Sequence, residues 1–209
     1  MSTIVIALLA YLIGSVSFAV IVSRVFALPD PRSYGSGNPG ATNVLRSGRK
    51  AAAALTLLGD SIKGWLAVFL ARQLADPATV EMSMAWAAVA VTIGHMYPVF
   101  FRFQGGKGVS TALGVMIALN IYLAAGAAAT WIIIAFFFRI SSLAGLVAAA
   151  FAPFFAFFLH GMGRFTLENS IGVTVIALLL AWRHRGNIRN LLAGTEGRIG
   201  GSSTGAPGN

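Results

Sequence analysis

Three glycine- or arginine-rich segments carry most of the polar chemistry of this chain. The first, Asp30-Pro-Arg-Ser-Tyr-Gly-Ser-Gly-Asn-Pro-Gly-Ala-Thr-Asn-Val-Leu-Arg46, is poor in bulk and dense in donors. Gly35, Gly37 and Gly40 let backbone amides converge on an anion, and Ser36, Asn38, Thr42, Asn43 and Arg46 add side-chain donors. A plain connection uses the same residue types, but it would not need such length. The second, Gln104-Gly-Gly-Lys-Gly-Val-Ser-Thr111, has the chemistry of a phosphate cradle. Gly105, Gly106 and Gly108 free the amides, a helix start adds partial positive charge, and Lys107 neutralises a phosphate oxygen. It is not a Walker A motif, because Phe101 stands where the first glycine belongs and Gly108 follows the lysine. A tight turn carrying one orienting lysine is its simpler reading. The third segment, Trp182 to Glu196, puts His184 and Asn187 on one helix face. Read more simply, it is an arginine-rich cap followed by an amphipathic stretch with Ile188, Leu191 and Leu192.

Smaller signals lie inside apolar runs. Asp60 and Lys63, three apart, either pair with each other or face a polar cavity that binds substrate. Ser142 follows Arg139 at the start of a run, in the place of an N-cap. His95 reads as a hydrogen-bonded packing residue. The chain has no cysteine, and His95, His160 and His184 are too scattered for a metal cage, so neither metal nor cofactor is expected. Where an H-x-x-x-x-D acyltransferase signature would need aspartate stand Phe100, Phe165 and Arg189, and no G-x-S-x-G nucleophile elbow occurs.

The elements that position these groups are membrane helices. Of 209 residues, 57% are hydrophobic and 10% charged, far from a soluble domain. A net charge of +9 would suggest nucleic acid in a soluble chain, but here the basic residues separate apolar runs, and no nucleic-acid partner is expected. The runs cover 4–23, 51–71, 82–101, 109–138, 142–159 and 167–182. The first reads as a spanning helix and not a cleaved signal, since no basic residue precedes it and Arg24 follows it. The run 109–138 would make a helix of ~45 Å, too long for one crossing, so a hairpin near 120–126, around Asn120 and Gly126, is expected. The fold expected is an all-α membrane protein of seven transmembrane helices, N-terminus outside and C-terminus cytoplasmic. That parity puts Arg183, Arg185, Arg189 and Arg198 inside with the Gly-rich loops. Residues 1–199 read as one domain and 200–209 as a flexible Gly/Ser-rich tail. Phe136, Phe137, Phe138, Phe154, Phe155, Phe157 and Phe158 read as lipid-facing or packing aromatics. With every polar segment on one face, a pocket beside lipid suits phosphorylated substrates, at least one of them amphiphilic.

The strings Gly35-Ser-Gly-Asn-Pro-Gly-Ala-Thr-Asn43, His95-Met-Tyr-Pro-Val-Phe100, Gly105-Gly-Lys-Gly108 and Arg183-His-Arg-x-Asn-Ile188, in this order, resemble the bacterial acyl-phosphate:glycerol-3-phosphate acyltransferase family. The likeness runs from Gly14-Ser15 to Glu196. It implies a seven-helix enzyme of the cytoplasmic membrane that moves a fatty acyl group from acyl phosphate directly to the 1-hydroxyl of glycerol 3-phosphate. Lysophosphatidic acid and orthophosphate would be the products. Carried over by position, Ser36, Arg46, Lys107, His184 and Asn187 would be catalytic. Gly37, Asn38, Gly40, Thr42, Asn43, Lys63, Gly105, Gly106, Gly108, Ser142 and Glu196 would bind substrate, with His184 or a substrate phosphate oxygen as the base. Gln104 replaces a usual lysine, and Ser17 a frequent proline. The expected partners are acyl phosphate, glycerol 3-phosphate and membrane lipid, and the oligomeric state is open, a monomer being sufficient. An organophosphate transporter is the rival reading, but it would want midplane sites and coupling carboxylates, and Asp60 is the only acid in the interior of a run, Glu168 standing at the edge of the last one. A purely structural subunit leaves the glycine loops unexplained.

Overall fold

A computed structural model describes residues 1–199, so the expected flexible tail, 200–209, lies outside the described residues. The first apolar run forms α1 (Thr3–Gly14) and α2 (Phe18–Val25), and a short α3 (Ala41–Leu45) sits in the first polar loop. Then come α4 (Lys50–Leu74), α5 (Val80–Met96), α6 (Val109–Leu119) and α7 (Ile121–Phe138). α8 (Ser141–Gly161), α9 (Leu167–Arg183) and α10 (Arg185–Leu192) complete the helices of the described residues, with 3-10 turns at Pro77–Thr79 and Val99–Phe101.

Two breaks shape the bundle. The long run divides at Asn120 alone, not across 120–126. Asn120 is extended (φ −163°), and its Oδ1 accepts the N–H groups of Tyr122 and Leu123 at 2.9 and 3.2 Å, capping α7. Gly126 lies inside α7, packed beside the Phe155 ring. The first run is not one unbroken helix as expected: it stops at Ser15 and restarts after Ser17. Ser15 Oγ donates to the Tyr11 carbonyl (2.9 Å) and accepts the Val99 N–H (3.3 Å), and the Val16 carbonyl accepts from Lys63 Nζ (2.6 Å). Polar partners from other helices thus take up backbone and side-chain groups at the break, as a low-dielectric setting requires.

Contacts between distant segments sort the helix ends into two sets. At one end, the Met1 ammonium donates to the Leu74 carbonyl (2.9 Å), the Thr3 and Ser83 hydroxyls lie 2.8 Å apart, and Asn169 Nδ2 donates to Glu81 (2.6 Å). Asn120 Nδ2 reaches the Arg164 carbonyl (3.3 Å) at the same end. At the other, Thr42 meets Ser141 (3.0 Å), Lys107 meets Asn187 (2.6 Å) and Ser142 meets Glu196 (2.6 Å). The rods α1–α2, α4, α5, α6, α7, α8 and α9 therefore run alternately between the two ends. Five stretches, Thr3–Val25, Lys50–Leu74, Pro77–Phe101, Ile121–Phe138 and Ser141–Gly161, are long and apolar enough to cross a membrane; α6 and α9 are shorter.

Lipid gives packed helices little hydrophobic drive, so close backbone approach holds them. Gly14 rests on Val91 and Gly94 on the Tyr11 carbonyl where α1 crosses α5. Gly64 rests on the Thr111 carbonyl and Gly114 on the Ser61 carbonyl where α4 crosses α6. The outer surface is aromatic and apolar: Phe136, Phe137 and Phe154 are each about three-quarters exposed, untenable in water and natural in hydrocarbon, while Phe155 joins the core.

Candidate active site

The Asp30–Arg46 loop is folded by its own polar groups. Arg32 donates to both oxygens of Asp30 (2.9 and 2.6 Å) and lies 5.7 Å from the centre of the Phe101 ring. The Arg32 side-chain hydrogen bonds hold the Asp30 carboxyl below the usual carboxylate range. Asn43 spends its amide within the loop: Nδ2 donates to the Pro31 and Tyr34 carbonyls (2.7 and 3.1 Å), and Oδ1 accepts the Ser36 N–H (3.0 Å). Gly35 needs its positive φ of +59°, and a Cβ there would collide with Asn43 Oδ1. This leaves Ser36, Gly37 and Arg46 on the exposed rim, with the Arg46 guanidinium beside Gly197. Asn38 and Gly40 close a turn (Gly40 N–H to Asn38 O, 2.9 Å) that starts α3, and the Thr42 hydroxyl ties the loop to α8.

The second segment is clamped from both sides. Gly106 donates its N–H to the His95 carbonyl (3.1 Å), and a Cβ at Gly105 or Gly106 would run into His95. From the end of α9, Arg183 reaches back to the Gly105 carbonyl (2.8 Å) and the Gly106 carbonyl (3.2 Å), its guanidinium 5.0 Å from the centre of the Tyr97 ring. Gly108, at φ +90°, then turns the chain into α6. Sequence reasoning assigned Arg183 only to orientation and passed over Tyr97; the Arg183-His-Arg and His95-Met-Tyr strings were the available signals.

Lys107 opens a chain of short polar contacts. Its Nζ donates to Asn187 Oδ1 (2.6 Å), Asn187 Nδ2 donates to Glu196 Oε1 (2.6 Å), and Ser142 Oγ donates to the same oxygen (2.6 Å). Ser142 is thus not the expected N-cap: α8 begins at Ser141 behind Ile140, and the Ser142 hydroxyl turns to the carboxylate. The stretch carrying Glu196 is fastened over the site where Ile199 donates its N–H to the Arg139 carbonyl (2.6 Å).

His184 sits between α9 and α10, buried, with Nδ1 2.7 Å from the Leu180 carbonyl. A carbonyl only accepts, so Nδ1 carries the proton and Nε2 is left as an acceptor. Burial pushes the imidazole down to about 4, against the Leu180 hydrogen bond and with the help of the Lys107 charge. Burial also lowers Lys107, opposed by Glu196 and assisted by Arg183 and Arg46. Lys63 is not brought to this cluster: inside the bundle it pairs with Asp60 at 2.9 Å and donates to Val16. Among the described residues, no three His, Asp or Glu side chains gather as a metal site would need. The arrangement offers cations and amide donors for anionic groups, a carboxylate that orients them, and a neutral imidazole acceptor.

Comparison with known proteins gives the family. The glycerol-3-phosphate acyltransferase family model matches residues 4–194. Glycerol-3-phosphate acyltransferases of Burkholderia multivorans and Burkholderia vietnamiensis are 63% and 62% identical over 202 residues, covering 96% of this chain and 92% of each relative. Among solved structures, PlsY, an integral membrane glycerol 3-phosphate acyltransferase, superposes in its glycerol 3-phosphate form with a TM-score of 0.85 at 36% identity, covering 96% of both chains. Its lysophosphatidic acid form gives a TM-score of 0.84 at 35% identity, again over 96% of both chains. With the matched family model spanning nearly all of the helical bundle and the polar cluster at one of its ends, this chain belongs to the PlsY family of integral-membrane glycerol-3-phosphate acyltransferases.

Proposed function

We propose that this chain transfers a fatty acyl group from acyl phosphate to the 1-hydroxyl of sn-glycerol 3-phosphate, the first step of bacterial phospholipid synthesis. The observation that carries the reading is the chain Lys107, Asn187, Glu196, Ser142, which joins the clamped Gly105–Gly108 loop to the segment after α9 and to the start of α8 at one end of the bundle. An acyl phosphate is already activated, so the protein needs to hold two phosphates and align a hydroxyl with a carbonyl. The glycerol oxygen forms the new ester bond to the acyl carbon, the bond from that carbon to the phosphate oxygen breaks, and orthophosphate departs with lysophosphatidic acid as the other product. Lys107 and the loop amides other than that of Gly106, whose N–H is taken by the His95 carbonyl, stabilise the oxyanion and the departing phosphate. A ring with so low a proton affinity as His184 is a weak base, so a phosphate oxygen of the donor takes the hydroxyl proton while His184 Nε2 orients the glycerol. Ser36, Gly37, Asn38 and Arg46 supply the rim that receives the second phosphate.

The same reading has seven crossings, the N-terminus outside and the site facing the cytoplasm. The alternating helix ends support it, as do Arg24, Arg46, Arg102, Arg139, Arg183, Arg185 and Arg189 at the site's end against Arg72 and Arg164 at the other. α6, ~16 Å long, then calls for a locally thinned bilayer. Residues 1–199 act as one domain in the bacterial cytoplasmic membrane, and one copy supplies every site group named. The broken first span and Asp60 are features of a transporter, but Lys63 occupies both.

The test supplies purified protein with glycerol 3-phosphate and either palmitoyl phosphate or palmitoyl-CoA, with product identification by mass spectrometry. Lysophosphatidic acid forms with the acyl phosphate. Formation only with the thioester overturns the donor, and formation with neither overturns the reaction.

A further inference from the structure

One cluster of ionisable groups takes no part in the chemistry above. Asp60 and Lys63 on α4 and His95 on α5 are 1%, 3% and 6% exposed inside spanning helices, where such groups are costly and an apolar replacement is often no less stable. Their placement gives them a second use. His95 Nδ1 lies 3.5 Å from Asp60 Oδ1, and the opposite edge of the ring, Nε2, is packed on the Cα of Gly106. The His95 carbonyl receives the Gly106 N–H. Lys63 stands 2.9 Å from the same Asp60 oxygen, as an ion pair and not a directed hydrogen bond, because its ammonium is aimed at the Val16 carbonyl. Neither Asp60 oxygen accepts a directed hydrogen bond among the described residues, so the carboxylate meets His95 and Lys63 through charge and close contact alone. The phosphate loop is therefore gripped on one side by Arg183, which holds its carbonyls, and on the other by an imidazole whose orientation answers to Asp60.

We infer that the buried Asp60–Lys63–His95 cluster positions the phosphate-binding loop, setting Gly106 and hence Lys107 from inside the bundle. The inference rests on the proposal that Gly105–Gly108 binds a substrate phosphate. Asp60 restricts the His95 ring, the ring backs Gly106, and Lys63 balances the carboxylate while fastening the break of the first span to α4. None of the three touches substrate.

The test uses the full-length purified protein in detergent or nanodiscs and three variants. His95→Phe keeps the ring and the backbone carbonyl but offers Asp60 nothing. Asp60→Leu/Lys63→Met removes both charges and the acceptor, and Asp60→Asn/Lys63→Met removes the charges but keeps an acceptor. Each is read for kcat, the KM of both substrates, the inhibition constant of orthophosphate, and thermal midpoint. His95→Phe and the leucine variant each raise one substrate KM and the orthophosphate inhibition constant about tenfold, a displaced anchor of under an ångström being enough, with a smaller change in kcat. Combining the two adds little, and the asparagine variant stays near wild type. The inference is overturned if folded His95→Phe protein keeps wild-type KM and orthophosphate inhibition, if the asparagine variant is as impaired as the leucine one, or if the effects multiply. His95→Phe alone decides the matter should the leucine variant fail to fold. Inactive wild-type protein would instead remove the proposed reaction, and this inference with it.

Discussion

Glu196 offers a graded perturbation of the site. Its Oε1 accepts two bonds of 2.6 Å, from Ser142 Oγ and Asn187 Nδ2, and Asn187 in turn holds Lys107. Glu196→Ala removes both bonds and lets Asn187 and Lys107 drift. A hydrogen bond to a charged group contributes about 1.5–3 kcal/mol, and the partial exposure of Glu196 argues for the lower end. Two such bonds come to about 3 kcal/mol, or roughly a hundredfold in kcat/KM. Glu196→Gln behaves differently because both donors converge on one oxygen. The amide carbonyl can occupy that place and keep both bonds at about half strength, so the loss falls to about 1.5 kcal/mol, close to tenfold. The assay is glycerol 3-phosphate-dependent orthophosphate release over a range of glycerol 3-phosphate, with thermal midpoints to show that each variant is folded. Equal damage from Gln and Ala, or an Ala variant within about threefold of wild type, would refute the reasoning.

Three further predictions concern burial, packing and sidedness. His184 titrates at about 4 in the folded protein against its ordinary 6.5, so protons bind the unfolded chain more tightly. The stability this represents is complete above about pH 6.5 and is lost as pH falls toward 4, up to about 3 kcal/mol. His184→Asn should flatten the fall in thermal midpoint over that window, and an unaltered fall would show the ring is not held neutral by burial. Gly114→Ala drives a Cβ into the Ser61 carbonyl and should destabilise the α4–α6 crossing by about 1–3 kcal/mol in a melting experiment, while Gly161→Ala, with open space around it, should be near neutral. Since the chain lacks cysteine, Ser202→Cys can be labelled cleanly; reaction from the cytoplasmic side only is expected, and labelling from outside would break the seven-crossing parity.

Local signals were legible in the sequence, and tertiary partners were not. Apolar runs located the rods to within a few residues, and Asn120, a capping residue in a run too long for one helix, marked its break. The interruption at Ser15–Ser17 left little trace, because a serine such as Ser15, satisfied by Tyr11 and Val99, sits in an apolar run without lowering its hydrophobicity much. The spacing of Asp60 and Lys63 left pairing and a polar cavity equally open, and their 2.9 Å contact decides for pairing; His95 arrives from another helix and no period in the sequence announces it. Asn43 resembled a ligand donor because an asparagine that folds its own loop has the same composition as one that binds substrate. The partner of Ser142 lies 54 residues away in Glu196, so local reasoning could see only a helix cap.

The most direct measurement is the stoichiometry of orthophosphate release from palmitoyl phosphate by the purified protein, with and without glycerol 3-phosphate, in wild type and Lys107→Ala. The account predicts one orthophosphate per lysophosphatidic acid formed, dependence on glycerol 3-phosphate, and loss of both products in a folded Lys107→Ala protein. Release that ignores glycerol 3-phosphate, or a Lys107→Ala protein that turns over as well as wild type, would contradict it.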